Sequence, residues 1–183
     1  MNKSITWSLV LLIIVAALYR IIPSRPLGFA PHIAMALFAG AVIKDKKWAF
    51  ALPVFSIFLS DLLYEVLYRN GLTQLRGFYE GQLTNYILFA GITCIGFLMK
   101  NIKAINVFVY SFITATVFFL ASNFMVWLNN AGYSRPKTWS GLLLCYTDAV
   151  PFYRGSLIAT MFFSAVLFGS YHMLNKPSLQ RSV

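Results

Sequence analysis

Acidic side chains are scarce in this chain: five Asp and Glu stand among 183 residues, and only 11% of positions carry a charge of either sign. An ordinary soluble domain holds about 25% charged and roughly 45–50% apolar residues, so a soluble body of this size would lack the polar surface to cover itself. Cysteine is nearly absent too. Cys94 sits in an apolar run and Cys145 in a connecting segment, which excludes a disulfide-stapled secreted fold and offers no metal-ligand spacing. Long polar stretches are missing, which excludes a disordered chain and any sizeable soluble catalytic domain. What is present instead is hydrocarbon. Apolar residues make up 59% of the chain, close to what six bilayer spans of about 20 residues each would need.

The fold class that follows is all-α: a single polytopic membrane domain over residues 1–183. The net charge of +10 does not point to nucleic acid. Its basic residues stand singly or in small clusters between apolar runs, as topology signals do, rather than in a patch.

Six spans are expected, at about 5–22, 31–43, 48–68, 83–99, 104–128 and 155–174. The first follows Lys3 and could pass for a signal peptide, but it lacks an A-x-A site and continues through Leu18-Tyr19-Arg20-Ile21-Ile22, so it reads as a retained helix. Pro31 suits the first turn of the second. Between the fifth and sixth, Trp139 to Val150 is too short and polar to cross and reads as a short interfacial helix. The tight turns Lys44-Asp45-Lys46-Lys47 and Lys100-Asn101-Ile102-Lys103 fall on one side with Lys3, Lys176 and Arg181. That side is expected to be cytoplasmic, with both termini on it, in a multi-pass protein of the bacterial inner membrane.

Depth follows from the helical rise of about 1.5 Å per residue. Arg20 lies about 23 Å above the inner edge and Asp61 about 20 Å, both in the outer half of a core about 30 Å thick. Glu65 is one turn above Asp61. Asn85 opens the fourth helix, Asn123 and Trp127 close the fifth, and His32 and Arg154 are outer-end residues. The inner halves hold little that is polar beyond Ser, Thr and Gly, so an outward-facing polar cavity is expected. The second helix, about 20 Å long, should stop below the outer surface and present its positive amino end. Arg20, Arg25, Arg69, Arg76, Arg135, Lys137 and Arg154 outnumber the acids on the rim, which favours an anionic or zwitterionic ligand.

Plainer readings stand beside these. Arg20 and Asp61 can be an ion pair that fixes helix register, Asn85 and Asn123 interhelical hydrogen-bond glue, and the Trp and Tyr residues an interfacial belt. The small residues Ala30, Ala34, Ala36, Ala39, Gly40 and Ala41 make a close-packing face on either reading. His32 and His172 lie near opposite faces and cannot ligate one haem iron.

The string Arg25-Pro26-Leu27-Gly28-Phe29-Ala30-Pro31, leading into Ala36-Leu37-Phe38-Ala39-Gly40-Ala41, resembles the start of the membrane-embedded substrate-binding (S) components of energy-coupling factor vitamin transporters. Over nearly its whole length the chain is similar to a small family of uncharacterised bacterial membrane proteins labelled as transport proteins. The residues that carry this likeness are Pro53 with Ser60-Asp61-Leu62, Ser122-Asn123-Phe124 with Trp127-Leu128, and Tyr133, Gly141-Leu142 and Pro151-Phe152. The S-component resemblance implies six helices, both termini inside and an outer-half ligand pocket roofed by loops. The chain departs from that pattern in its first helix, where Ala16 and Ala17 are adjacent and the A-x-x-x-A docking spacing is missing.

The expected function is therefore small-molecule transport or substrate capture, with no catalysis and no cofactor. The expected pocket is formed by Arg20, Phe29, His32, Asp61, Glu65, Asn85, Asn123, Trp127 and Tyr146, and the expected partners are a small-molecule substrate, membrane lipids and an energising transporter module. A scaffold subunit is the alternative. An intramembrane enzyme has candidate acids in Asp61, Glu65 and Asp148 and a base in His32, but it lacks H-x-x-x-H, G-x-S-x-G or any other second group tied to the first by spacing.

Overall fold

The computed structural model describes residues 3–174, which form six helices and no strands: α1 Lys3–Arg20, α2 His32–Val42, α3 Lys46–Arg69, α4 Gln82–Phe97, α5 Ala104–Leu128 and α6 Trp139–Leu174. Lys176 and Arg181 lie outside the described residues, as does the side chain of Lys3. The helices α3, α5 and α6 are long and apolar enough to cross a membrane, while α2 and α4 are shorter apolar helices.

Local chemistry sets most of the boundaries. Asp45 caps α3 by accepting from the Lys47 amide at 2.9 Å, supplying one of the acceptors that a first turn lacks. Pro31 precedes α2, where a missing N–H costs nothing. The apolar run from Ala104 to Leu128 is uninterrupted, and α5 fills it.

The segment Trp139 to Val150 is not a separate interfacial helix. It is the first third of α6, which runs 36 residues without a break and passes through Pro151. A proline inside a helix removes one backbone hydrogen bond and crowds the preceding turn, but here tertiary contacts hold the turn on either side. Tyr146 Oη donates to the Leu120 carbonyl at 3.0 Å, and Tyr153 Oη bonds Thr116 Oγ1 at 2.8 Å. At about 1.5 Å per residue α6 is about 54 Å long, well beyond a bilayer core of about 30 Å.

The centre of the bundle is α2. It packs on α3, α4, α5 and α6 and is buried along most of its length. It contributes to all three apolar clusters: Met35 and Ala39 with Ala16 and Leu52, Ile33 and Ala36 with Ile92, and Leu37 with Met99 and Phe168. Small residues make this possible. Gly40 and Gly96 face each other where α2 crosses α4, and a Cβ at either would come within 2.9 Å of the other's Cα. The outer surfaces of the helices are also apolar, with Phe55, Val66, Ile87, Ile105, Phe108, Ile158 and Phe162 among the exposed side chains.

Candidate functional site

The last carbonyl of α1 begins the site. A helix C-terminus leaves its final carbonyls unpaired; that of Arg20 accepts from Tyr64 Oη at 2.8 Å and from Arg25 Nε at 2.8 Å. Arg25 also donates from Nη1 to the Phe29 carbonyl at 3.3 Å, so one side chain ties the end of α1 to the approach to α2. The Arg20 guanidinium itself turns towards α3. Its Nη1 is ion-paired with Asp61 Oδ1 and donates to Ser60 Oγ at 2.8 Å, while its plane lies over the Tyr64 ring, 5.5 Å from the centroid.

Asp61 is 1% exposed and its second oxygen is occupied as well. Oδ2 accepts from Gln82 Nε2 at 2.7 Å and from Tyr86 Oη at 2.8 Å. Gln82 and Tyr86 stand one turn apart at the start of α4, and their own contact is 2.8 Å. A buried carboxylate with a cation and two neutral donors is satisfied at both oxygens, the condition under which such a charge can be kept away from water. The loop between α3 and α4 comes close enough to deliver Gln82 because residue 77 has no side chain. A Cβ on Gly77 would overlap the Asp61 carbonyl oxygen and lie 2.5 Å from the Glu65 nitrogen.

Next to this network opens a cavity of about 670 Å³, walled by the loop after α1, the start of α2, the C-terminal half of α3, the α3–α4 loop and parts of α4, α5 and α6. Its polar wall groups include Arg20, Arg25, His32, Tyr64, Tyr79 and Asn85, and no carboxylate among the described residues lines it. The amino end of α2 forms part of the wall through Ala30, His32 and Ile33, and no side chain caps it. His32 is buried, shares a 3.2 Å hydrogen bond with Ser56 Oγ and meets the Phe89 ring edge-on. Asn85 Nδ2 donates to Tyr79 Oη at 2.6 Å.

A smaller cavity of about 260 Å³ lies beside it, lined by Asn123, Tyr133, Arg135, Cys145 and Asp148 among others. Phe118, Phe152 and Ser156 line both cavities. Arg135 forms a two-bond pair with Asp148, at 2.8 and 3.0 Å, which holds its guanidinium above its ordinary pKa.

Of the nine residues expected to form one pocket, Arg20, His32 and Asn85 line the larger cavity, and Asp61 lies directly behind Arg20. Asn123 lines the smaller cavity and donates to the Phe119 carbonyl at 2.8 Å. The other four stand outside both. Phe29 packs on Phe163 and Tyr19, Glu65 pairs with Arg69 at 2.8 Å, Trp127 Nε1 donates to the Pro136 carbonyl at 2.8 Å, and Tyr146 stacks on Phe119. The residues that sequence reasoning passed over are Ser60, Tyr64, Gln82 and Tyr86. A signal for the last two existed, since a Gln and a Tyr four apart flank Asn85 on the first turns of α4.

The model of one protein family matches residues 1–181. The chain belongs to DUF6580, a family of unknown function. The match takes in all six helices, so DUF6580 describes the whole bundle rather than a module within it. No curated protein and no solved structure matches the chain.

Proposed function

We propose that this chain is a six-span protein of the bacterial inner membrane, both termini cytoplasmic, that binds a small anionic or zwitterionic molecule in the Arg20 cavity as a transporter or as the substrate-capturing subunit of one. The apolar outer surface and the three long apolar helices support immersion in a bilayer. The observation that carries the ligand class is the charge of the cavity wall: two arginines and an uncapped helix amino end face a space with no carboxylate among the described residues of its lining. Arg20 is already paired through Nη1, which leaves its Nε and Nη2 to a ligand. Asp61 serves as the post that orients it, and a volume near 670 Å³ is within the range of about 300–1,000 Å³ for small-molecule pockets.

The S-component likeness supports the same height for the pocket, by analogy alone. Ala16 and Ala17 are buried against the chain's own core, so they offer no small-residue face to an energising module. A carrier that works alone is the form this favours.

Native mass spectrometry of the protein in mild detergent, unaltered and as Arg25→Gln and Asp61→Asn, tests the proposal. A stoichiometric small anion on the unaltered chain, lost or reduced in both variants at matched yield, is the expected result. An apo mass in all three, or retention unaffected by either substitution, would remove ligand capture from this cavity and favour a scaffold subunit.

A further inference from the structure

A second large cavity lies at the opposite end of the bundle, between the start of α5 and the end of α6. It measures about 700 Å³ and is apolar along its walls, with Val107, Phe108, Met161, Ala165 and Phe168. Three polar groups interrupt this. Lys103 and His172 line one end, and Ser111 lines the wall about two turns further in. Among the described residues, no acidic one lines the cleft.

Ser111 is the informative one. Its hydroxyl is fully buried and has no hydrogen-bond partner among the described residues, although most helix-interior serines bond a carbonyl of the preceding turn. Burying an unpaired hydroxyl is costly, so the cleft holds a donor in want of an acceptor from outside the chain. The mouth has a complementary shortage. Lys103 is the residue before α5 and makes no side-chain cap, so the first-turn amides of α5 and the Lys103 ammonium together favour an anion. From Lys103 to Ser111 the helix rises about 12 Å, close to the hydrocarbon depth of about 15 Å in one leaflet.

We propose that this cleft is a binding site for one anionic phospholipid: its phosphate at Lys103, His172 and the amino end of α5, an acyl chain along the apolar walls, and an ester carbonyl accepting from Ser111 once its hydroxyl turns from its buried position into the cleft. Basic pockets between transmembrane helices favour anionic headgroups in this way. The site is independent of the Arg20 cavity and of whatever that cavity carries.

Gly169 lines the cleft, and a Cβ added there would meet nothing within 4 Å, so Gly169→Phe is the substitution chosen to obstruct the space. The test is native mass spectrometry of the full chain titrated with phosphatidylglycerol, phosphatidylcholine or glycerol phosphate. One phosphatidylglycerol should be retained in preference to phosphatidylcholine, and glycerol phosphate should not be retained. Lys103→Gln should weaken phosphatidylglycerol retention about five-fold, as loss of one basic contact implies, and Gly169→Phe should abolish it. Equal retention of the two lipids by the unaltered chain would overturn the proposal, with no variant needed. So would retention of glycerol phosphate alone, undiminished retention in Gly169→Phe, or a lipid-free dimer that Gly169→Phe dissolves, which would make the cleft an interface between copies.

Discussion

Gln82 reaches across 21 residues of chain to donate to Asp61 Oδ2 at 2.7 Å. That bond joins α4 to the same carboxylate that anchors Arg20 of α1, so three helices meet on one buried charge.

Because the charges are paired away from bulk water, removing one partner should cost more than removing both. Asp61→Asn and Arg20→Gln should each lower stability, and the double variant should lose less than the sum, with a coupling of about 1–3 kcal/mol. Thermal denaturation of the four proteins in one detergent measures this. Additive losses would show that the pair does not act as a unit.

Tyr86→Phe removes one donor from Asp61 and leaves the ring. A hydrogen bond to a charged group contributes about 1.5–3 kcal/mol, so a loss in that range is expected, with Arg20 still in place. A melting temperature equal to that of the unaltered chain would mean that Gln82 alone satisfies Oδ2.

Gly77→Ala places a methyl group against the α3 backbone at Asp61 and Glu65. Neither backbone can give way cheaply, so a destabilisation of about 1–3 kcal/mol is expected, together with loss of the Gln82 bond. Gly91→Ala is the control, since its added Cβ meets nothing within 4 Å, and a mid-helix Gly to Ala change should stabilise by about 0.5–1 kcal/mol. Denaturation curves that rank the two variants in the opposite order would refute this account of the loop.

The proposed six-span topology predicts that single cysteines introduced at Glu80 and Asn101, with Cys94 and Cys145 replaced by Ala, react from opposite sides. In intact spheroplasts, whose outer membrane face meets the medium, a membrane-impermeant maleimide should label the Glu80→Cys protein, and the Asn101→Cys protein only after permeabilisation. Labelling of both from one side would exclude an odd number of crossings between them.

Much of the fold was legible because an apolar run bounded by polar residues leaves a helix little choice: Lys103 and Asn129 flank α5 at the expected limits. The long α6 was not legible, because Asp148 and Pro151 look like a break in the sequence, and the helix around them is held by partners distant in the chain, on α5, in the preceding loop and in the loop after α1. The site divides along the same line. Counting residues gives height in a membrane but not direction around a helix axis. Arg20 and Asp61 share a height and also face each other, so they were found as a pair. Glu65, one turn above Asp61 on the same helix, is taken by Arg69 instead, and Trp127 and Tyr146 bond backbone carbonyls outside the cavity. Gln82 was out of reach for a different reason: its place depends on how a loop crosses α3, which a single glycine decides.

The loop after α1 is also stitched to α6. Ser156 Oγ donates to the Gly28 carbonyl at 3.1 Å, Gly28 has φ +72° and leaves no room for a side chain against the Phe152 carbonyl, and Gly155 sits equally close to the Leu27 carbonyl. Backbone packed on backbone at two neighbouring points couples the loop to this part of α6. The wall of the Arg20 cavity on this side is therefore shared between the loop and α6. Because Phe152 and Ser156 of α6 line the smaller cavity too, a shift of the loop that carries α6 with it reshapes both cavities at once.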